Sequence, residues 1–371
     1  MKRHVLLAVA LVLVLATIAA CAPAPTPTPV PPTAAPATAV PTKAAVPTAV
    51  PPTTAPTAAP TAVPTKAPEP TKAPEPTKAA AAATATVPPA MCAKLPNMPT
   101  VTAGQLGAPD KPIVITFVPS GDVPTITRSG EETAACLNKI TGLTFQINVQ
   151  TSYAGAIEAL GANKANFSFL ATFAAILAKQ KYGVEPVLVA TRAYQTVDLD
   201  PDKAMKGTQQ PFYKGQFITK KGSPIKTLAD LKGKTFCFTD PLSTSGTIIP
   251  QVILKANGVN PDKDLKASQF AGSHPNVVSA VYKGDCDAGA TFIDARTDAS
   301  VLKTYPDVND KVDIFYVTDK IPNDGMQVSK DTPAAIRDAT VSGLLSMMAD
   351  PGGKAVVRRA YTYDNLVKVP T

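Results

Sequence analysis

Short apolar runs alternate with amphipathic segments from Pro112 onward. Runs rich in β-branched and aromatic side chains predict strands, which are Ile113–Val118, Phe145–Val149, Phe167–Leu170 and Val187–Thr191. Between them, apolar positions recur at helical spacing and predict helices over Arg128–Thr141, Tyr153–Leu160 and Phe173–Tyr182. This alternation is typical of an α/β domain with a parallel sheet.

A second block with the same pattern follows, and the chain then returns to the first block after about Ile321. The predicted elements are the extended segment Phe212–Thr219, the strand Lys234–Thr239, the helix Ile248–Ala256, the helix–strand unit Val277–Phe292, the strand Ile314–Val317 and a last helix Pro333–Met348. We therefore predict two lobes, with residues 91–212 and 322–371 in lobe 1 and residues 213–321 in lobe 2. The cleft between two such lobes is where small ligands usually bind.

The first twenty residues have a different pattern. A basic start is followed by an uninterrupted run of apolar and small residues, Val5–Ala20, which is shorter than the ~20 residues of a membrane-spanning helix. Residues 1–20 are therefore predicted to be a signal peptide. The run ends in Ile18-Ala19-Ala20-Cys21, which resembles a bacterial lipobox, so we expect cleavage to leave Cys21 as a lipid-bearing N-terminus. An ordinary signal peptide with an incidental cysteine is the alternative.

Residues 21–90 form a tract of proline, threonine and alanine. Between Ala22 and Ala90 lie 20 of the chain's 39 prolines, with no aromatic residue and no apolar period. Such a segment cannot bury enough surface to offset the entropy of ordering it, so we predict a disordered tether. In polyproline II conformation, at roughly 3 Å per residue, it would reach on the order of 200 Å. A ligand for a proline-binding domain is the alternative.

Charge and composition exclude several classes of function. The net charge is +8, of which +4 belongs to residues 91–371, and like charges never run beyond a pair. This weak excess predicts no nucleic-acid partner. The chain has 2 histidines and no Cys-x-x-Cys motif, so neither a transition-metal site nor a cofactor is predicted.

Four cysteines follow Cys21 and allow three pairings in an exported protein. Cys237 and Cys286 both lie in strand candidates of the second block, and we predict a disulfide between them. The second predicted disulfide joins Cys92 to Cys136.

The loop Asp240–Gly246 contains the strongest candidate for chemistry. It lies between a predicted strand and a predicted helix, and it places Ser243, Thr244 and Ser245 directly before a glycine. Backbone N–H groups at a helix start are unpaired and carry the positive end of the helix dipole, so hydroxyl donors there suit a compact oxyanion. Simple N-capping by serine or threonine is the alternative.

Further candidates lie at other predicted element ends. His274 precedes the helix that begins near Val277, and it is an anion donor only in combination with the Ser-Thr-Ser loop; alone, it is a surface or capping residue. Tyr153 opens a helix, where simple packing is the alternative. Asp294 follows a strand and Asp324 lies in Ile321-Pro-Asn-Asp-Gly325, and solvated loop acids are the alternative for both.

Taken together, five segments resemble one family in their order and spacing. They are Ser152–Leu160, Leu228–Phe236 (Leu-Ala-Asp-Leu-Lys-Gly-Lys-Thr-Phe), Leu242–Gly246 (Leu-Ser-Thr-Ser-Gly), Gly272–His274 and Ile321–Asp324. The family is that of the phosphate, phosphite and phosphonate solute-binding proteins of ABC importers, which have the two-lobed α/β type II periplasmic-binding-protein fold.

The resemblance implies roles for particular residues. Ser243, Thr244, Ser245 and His274 would bind the phosphorus oxygens, and Tyr153 and Tyr213 would close over the ligand. In aminophosphonate-binding members, acids at the positions of Asp294 and Asp324 meet the ligand's amine. The first is an aspartate here, where a glutamate can occur. An acid beside a phosphorus oxygen can instead accept a proton from a monoprotonated oxyanion, which favours phosphite or hydrogen phosphate.

The sequence thus predicts an extracytoplasmic, lipid-anchored, monomeric receptor that delivers a small phosphorus oxyanion to an ABC permease, without catalysis. A receptor for another oxyanion or a sulfonate is one alternative. An enzyme on the same fold, with His274 and a serine of the loop as its catalytic pair, is the other, and it lacks an orienting third group in the sequence.

Overall fold

The computed structural model describes residues 92–369. The predicted signal peptide, Cys21 and the predicted tether therefore lie outside the described residues. Among the described residues, no helix combines the length and apolar character needed to cross a membrane.

The described chain folds into short strands and helices that mostly alternate. The strands are β1 Ile113–Phe117, β2 Phe145–Val149, β3 Phe167–Leu170, β4 Glu185–Ala193, β5 Gln209–Gln210, β6 Phe212–Tyr213, β7 Gly215–Lys220, β8 Thr235–Phe238, β9 Ala267–Phe270, β10 Ala288–Phe292, β11 Val312–Val317, β12 Ile321–Pro322, β13 Gly325–Val328 and β14 Asn365–Lys368. The helices are α1 Val123–Thr141, α2 Tyr153–Gly161, α3 Thr172–Tyr182, α4 Ile249–Ala256, α5 His274–Lys283, α6 Ala299–Thr304, α7 Val308–Lys311, α8 Ala334–Ala349 and α9 Pro351–Tyr361.

The first lobe is built on a sheet with the strand order β14-β4-β13-β3-β1-β2, and β5 pairs with β4. Strand β1 runs parallel to β2 and β3, whereas β13 lies antiparallel between β3 and β4. The predicted parallel sheet is therefore found for β1, β2 and β3, and the unpredicted strand β13 is inserted into it in the antiparallel direction. Gly325, the first residue of β13, pairs with Leu170, the last residue of β3. Because the returning chain enters at the edge where β3 ends, β13 must run in the opposite direction.

The second lobe is built on a sheet with the order β11-β7-β10-β8-β9. Strand β8 runs parallel to β9 and β10, and β7 runs antiparallel to β10 and β11. Between the sheets, β6 and β12 pair with each other through Tyr213 and Ile321 and through Phe212 and Pro322. The predicted lobe boundaries fall within this pair and stay a prediction.

Each lobe contains one disulfide. Cys92 is joined to Cys136 on α1 in the first lobe, and Cys237 on β8 is joined to Cys286 before β10 in the second, as the sequence analysis predicted. The bridges join residues 44 and 49 positions apart. Closing loops of this length restricts the unfolded chain and is worth about 4 kcal/mol each in the chain-entropy model.

Several elements differ from the sequence prediction. Helix α1 begins at Val123 rather than Arg128, because the Asp122 carboxylate caps it by accepting a hydrogen bond from Thr125 N at 3.0 Å. The strands β9, β13 and β14 and the helix α9 were not predicted. All four residues of β9 are exposed, so its sequence lacks the apolar pattern of a strand.

Candidate ligand-binding cleft

A cavity of about 80 Å³ lies where the two lobes meet. It is lined by seven of the eight predicted ligand-binding residues, which are Tyr153, Tyr213, Ser243, Thr244, Ser245, His274 and Asp324. Asp294 lines a second, adjacent cavity of about 210 Å³ instead. At roughly 10–15 Å³ per water-sized sphere, the first cavity has room for an oxyanion of about five heavy atoms.

The Ser-Thr-Ser loop forms the second-lobe wall of the first cavity. After β8 the chain makes a π-helical turn, Thr244–Ile248, that leads directly into α4. Ser243 caps the turn, because its Oγ accepts a hydrogen bond from Gly246 N at 3.2 Å. Among residues 92–369, the backbone N–H groups of Thr244 and Ser245 have no protein acceptor. They are therefore available to an anion at the positive end of this helix.

Gly246 is required by the close packing of this turn. A Cβ at this position would overlap the side chain of Thr239, and it would also come within 3.0 Å of Ser243 Oγ. The predicted helix start at Ile248 missed the π-helical turn, which brings the loop residues into the helix itself.

His274 is positioned as a neutral hydrogen-bond donor. The backbone N–H of Phe292 donates to Nδ1 at 3.0 Å, so Nδ1 is unprotonated and Nε2 carries the proton. Nε2 lies 3.5 Å from Ser243 Oγ at the cavity wall. Burial lowers the pKa of His274 to about 3, and the positive charge of Arg192 contributes in the same direction. The imidazole is thus uncharged at neutral pH.

Two buried tyrosines face the loop across the cleft. Tyr153 and Tyr213 line the first cavity together with Ser243 and Ser245. Burial, reinforced by the negative charge of Asp324, raises the pKa of both tyrosines. Both hydroxyls therefore stay protonated and can donate hydrogen bonds to an anion.

The cavity also contains an ion pair that sequence reasoning missed. Arg192 Nη2 lies 2.9 Å from Asp324 Oδ2, and the guanidinium lies over the rings of Tyr213 and Tyr363, at 5.2 and 5.0 Å from their centroids. Burial raises the pKa of Asp324, and the positive charge of Arg192 opposes that shift. Among the described residues, Asp324 Oδ1 has no hydrogen-bond partner, so it remains an acceptor.

The missed residues come from strand and helix ends near the cavity. Arg192 lies near the end of β4. In the sequence it directly follows the predicted strand Val187–Thr191, and a charged residue at that strand end was the signal that could have identified it. Tyr361 is the last residue of α9, a helix that the sequence analysis did not predict, and Tyr363 follows that helix. Tyr361 also donates a hydrogen bond to the carbonyl of Val118 at 2.8 Å, which fixes its ring at the cavity.

Three hydrogen bonds link the lobes around the cavity. Tyr153 N donates to Asp240 Oδ2 at 3.3 Å, and Phe173 N donates to Thr244 Oγ1 at 2.9 Å. His274 N donates to Ser120 O at 3.0 Å. The starts of α2 and α3 therefore contact the Asp240–Thr244 segment of the second lobe, the start of α5 contacts the first lobe, and the cleft is closed over the cavity.

The charges in the cavity cancel. Its lining contains two arginines, Arg192 and Arg359, and two aspartates, Asp298 and Asp324. Within residues 92–369, no group of three or more histidine, cysteine or acidic side chains is placed to hold a metal ion. An anion here would be held by hydrogen-bond donors and helix starts rather than by an excess of positive side chains.

Comparison with known proteins identifies the family. Residues 115–369 match the family model described as ABC transporter, phosphonate, periplasmic substrate-binding protein. The chain belongs to this family. The resemblance inferred from the sequence motifs is thereby confirmed, and an extracytoplasmic location follows from the membership.

Individual relatives are similar over part of their length. The chain is 29% identical over 205 residues to the phosphate-import protein PhnD of Mycolicibacterium smegmatis, which covers 53% of this chain and 59% of the relative. The match therefore spans less than two thirds of that relative's length.

Two solved structures share the fold. A binding-protein component of an ABC phosphonate transporter from Pseudomonas aeruginosa aligns with a TM-score of 0.60 and 19% identity, over 69% of this chain and 81% of that chain. PhnD1 from Prochlorococcus marinus in complex with methylphosphonate aligns with a TM-score of 0.57 and 18% identity, over 69% of this chain and 92% of that chain. These likenesses confirm the predicted type II periplasmic-binding-protein fold.

Proposed function

We propose that this protein captures a small phosphorus oxyanion in the first cavity and delivers it to an ABC permease. The observation that carries the proposal is the set of donors around that cavity: the Ser243, Thr244 and Ser245 loop, the two tyrosine hydroxyls and the neutral His274 Nε2–H. The family membership and the methylphosphonate complex of the Prochlorococcus structure support the same ligand class.

The donors are arranged for a compact tetrahedral anion. They come from both lobes, so the lobes close around the ligand and exclude water, which strengthens each hydrogen bond. Asp324 lines the same cavity and its Oδ1 has no hydrogen-bond partner among the described residues, so a ligand with one protonated oxygen would satisfy this acceptor. Phosphite and hydrogen phosphate meet this requirement at neutral pH.

The geometry disfavours an enzyme that uses His274 and Ser243 as a catalytic pair. A general base must accept the serine proton. Nε2 of His274 already carries a proton, because Nδ1 accepts a hydrogen bond from the backbone N–H of Phe292. The low pKa of His274 further weakens it as a base near neutral pH. Binding of a ligand and its release to a permease do not require proton transfer from serine to histidine.

The proposal places the receptor on the outer face of a membrane as a monomer, anchored by lipid at Cys21. Its support is the lipobox-like sequence and the proline-rich tract that follows it. Intact mass of the protein from its native membrane tests the anchor, because a diacylglyceryl group at Cys21 adds a defined mass. A mature N-terminus other than Cys21 would contradict it.

Isothermal titration calorimetry with a panel of oxyanions tests the ligand class. We expect phosphate, phosphite or methylphosphonate to bind with a dissociation constant in or below the micromolar range, and sulfate and methanesulfonate to bind at least about a hundredfold more weakly, since they offer no proton to Asp324 at neutral pH. Binding of the sulfur anions alone would overturn the proposal.

A matched pair of variants ties the binding to this cavity. Ser245→Ala removes a hydroxyl of the cavity wall and should weaken binding by about tenfold or more, as expected for the loss of one hydrogen bond to a charged group. Ser279→Ala, on α5 outside the cavity lining, should leave the affinity unchanged. Equal effects of both changes would place the ligand elsewhere.

A further inference from the structure

Arg192 and Tyr213 stand between the two cavities of the cleft. Both residues line the first cavity of about 80 Å³ and the second cavity of about 210 Å³. The first is lined by the loop Ser243–Ser245, and the second by Asp294 and by the ion pair of Asp364 with Arg358. The side chain of Arg192 is thus part of the wall that limits the first cavity.

Several contacts hold Arg192 in this position. Its guanidinium is paired with Asp324 at 2.9 Å and lies against the rings of Tyr213 and Tyr363. The next residue, Ala193, donates its backbone N–H to Asp364 Oδ2 at 2.6 Å and so fixes the end of β4. Swinging the side chain away would break the ion pair and leave the carboxylate of Asp324, whose side chain is only 18% exposed, without a cation, which is unfavourable.

The ion pair also changes what Asp324 can recognise. One carboxylate oxygen, Oδ2, already faces a cation of the protein itself, and the other, Oδ1, has no hydrogen-bond partner among the described residues. A ligand ammonium that approached Asp324 would lie beside the guanidinium and be repelled by it.

Resting on the proposed function, we infer that Arg192 is a specificity-determining residue. Its side chain separates the phosphorus site from the second cavity, and its guanidinium is paired with the carboxylate of Asp324. The site therefore takes compact oxyanions and phosphonates with small uncharged substituents, and it excludes phosphonates that carry an amine. Without the guanidinium, Asp324 would be free to pair with an amine.

An isosteric ligand pair tests this assignment by calorimetry on the full chain. Ethylphosphonate and aminomethylphosphonate have substituents of the same size, and only the second carries a positive charge. In the wild-type protein we expect ethylphosphonate to bind at least about tenfold more tightly. In Arg192→Met this preference should reverse or disappear, because the unpaired Asp324 now attracts the ammonium.

Two further variants separate charge from shape. Arg192→Lys keeps a cation beside Asp324 and should keep the wild-type preference for ethylphosphonate. The double change Arg192→Met with Asp324→Asn removes both charges and should bind the two ligands within about threefold of each other. It also leaves no unpaired buried charge, so it serves as the test if Arg192→Met alone does not fold.

The outcomes distinguish this inference from the proposed function. If neither methylphosphonate nor phosphate binds the wild-type protein, the proposed function fails. If they bind but the wild-type protein takes aminomethylphosphonate as tightly as ethylphosphonate, only the role of Arg192 is overturned. The same conclusion follows if Arg192→Met, or the double variant in its place, keeps the wild-type preference.

Discussion

The carboxylate of Asp240, in the second lobe, accepts a hydrogen bond from the backbone N–H of Tyr153, at the first turn of α2 in the first lobe. Asp240 also accepts from Leu242 N within its own loop at 2.8 Å, which holds the carboxylate in place. A second-lobe side chain therefore supports the start of a first-lobe helix, and this contact exists only when the cleft is closed.

Replacing Asp240 with alanine should weaken ligand binding without unfolding either lobe. The closed state would lose a charge-assisted hydrogen bond and the favourable interaction of a carboxylate with a helix start, together about 1–2 kcal/mol. Affinity for the ligand should fall by roughly tenfold. Calorimetry measures the affinity, and small-angle X-ray scattering reports whether the ligand still closes the cleft.

The control for this change is Asp262→Ala. Asp262 is an exposed second-lobe carboxylate whose ion pair with Lys255 spans 3.9 Å. Its loss should not change affinity. An Asp240→Ala protein that binds as tightly as wild type would show that the interlobe contact contributes nothing to closure.

His274 should make the protein less stable as the pH falls from 7 to 5. Its pKa is about 3 in the folded protein and near 6.5 when unfolded, so in this range the unfolded chain binds the additional proton. The free energy of unfolding should decrease by roughly 2 kcal/mol between these two pH values because of this group. Urea denaturation at each pH measures the change.

The matched variant for the pH dependence is His274→Asn, whose side-chain oxygen can still accept from Phe292 N. It should show a correspondingly smaller loss of stability between pH 7 and 5. The raised pKa of Asp324 acts in the opposite direction, but it is common to both proteins and cancels in the difference. If the free energy of unfolding changed equally with pH in the wild type and in His274→Asn, His274 would have to be readily protonated in the folded protein, and the prediction would be wrong.

Gly246→Ala should damage both the stability and the site. The added Cβ would overlap Thr239, so the π-helical turn must shift, at about 1–3 kcal/mol for an overpacked position. Since that turn carries the loop residues, ligand affinity should fall as well. At Gly121, the nearest atom to an added Cβ is 3.7 Å away, so Gly121→Ala should leave the melting temperature nearly unchanged.

Lys214 forms a buried ion-pair cluster beside the connection between the lobes. It follows β6, and its Nζ lies 2.7 Å from Asp200 Oδ1 and 2.8 Å from Asp202 Oδ2. The side chains of Lys214 and Asp200 are 3% and 0% exposed. Lys214→Met would leave the buried Asp200 carboxylate without a cation. We therefore expect a loss of about 3–5 kcal/mol in the free energy of unfolding.

A half-exposed lysine offers the comparison for Lys214. Lys320 contacts the same Asp202 at 3.6 Å with 47% of its side chain exposed, and Lys320→Met should cost less than about 1 kcal/mol. Chemical denaturation of both variants gives the two values. Similar losses would show that burial does not set the strength of this cluster.

Local sequence patterns predicted the parts of the site that are contiguous in the chain. The Ser-Thr-Ser loop, the histidine at a helix start and the first-block strands are each visible within a few residues. The partnership of Arg192 with Asp324 joins residues 132 positions apart and follows from the placement of β13 beside β4. No periodicity encodes that placement, because it depends on where the chain re-enters the first sheet.

Two elements, β9 and α9, could not be recognised from the sequence because of their exposure and their composition. Strand β9 lies at a sheet edge with all its residues exposed, so hydrophobic alternation could not reveal it. Helix α9 begins at a proline and two glycines, Pro351-Gly352-Gly353, which read as a turn. The Asp350 carboxylate offsets that composition by accepting from Gly352 N and Gly353 N, at 2.8 and 3.1 Å.

The disulfide between Cys92 and Cys136 has a mechanical consequence. Cys92 is the first described residue after the proline-rich tract, and Cys136 lies within α1, against the core of the first lobe. A force applied to Cys92 from its N-terminal side is therefore transmitted through the disulfide directly to α1. The disulfide bypasses the segment between Cys92 and β1, so a force applied at Cys92 does not have to be borne by the noncovalent contacts of that segment with the lobe.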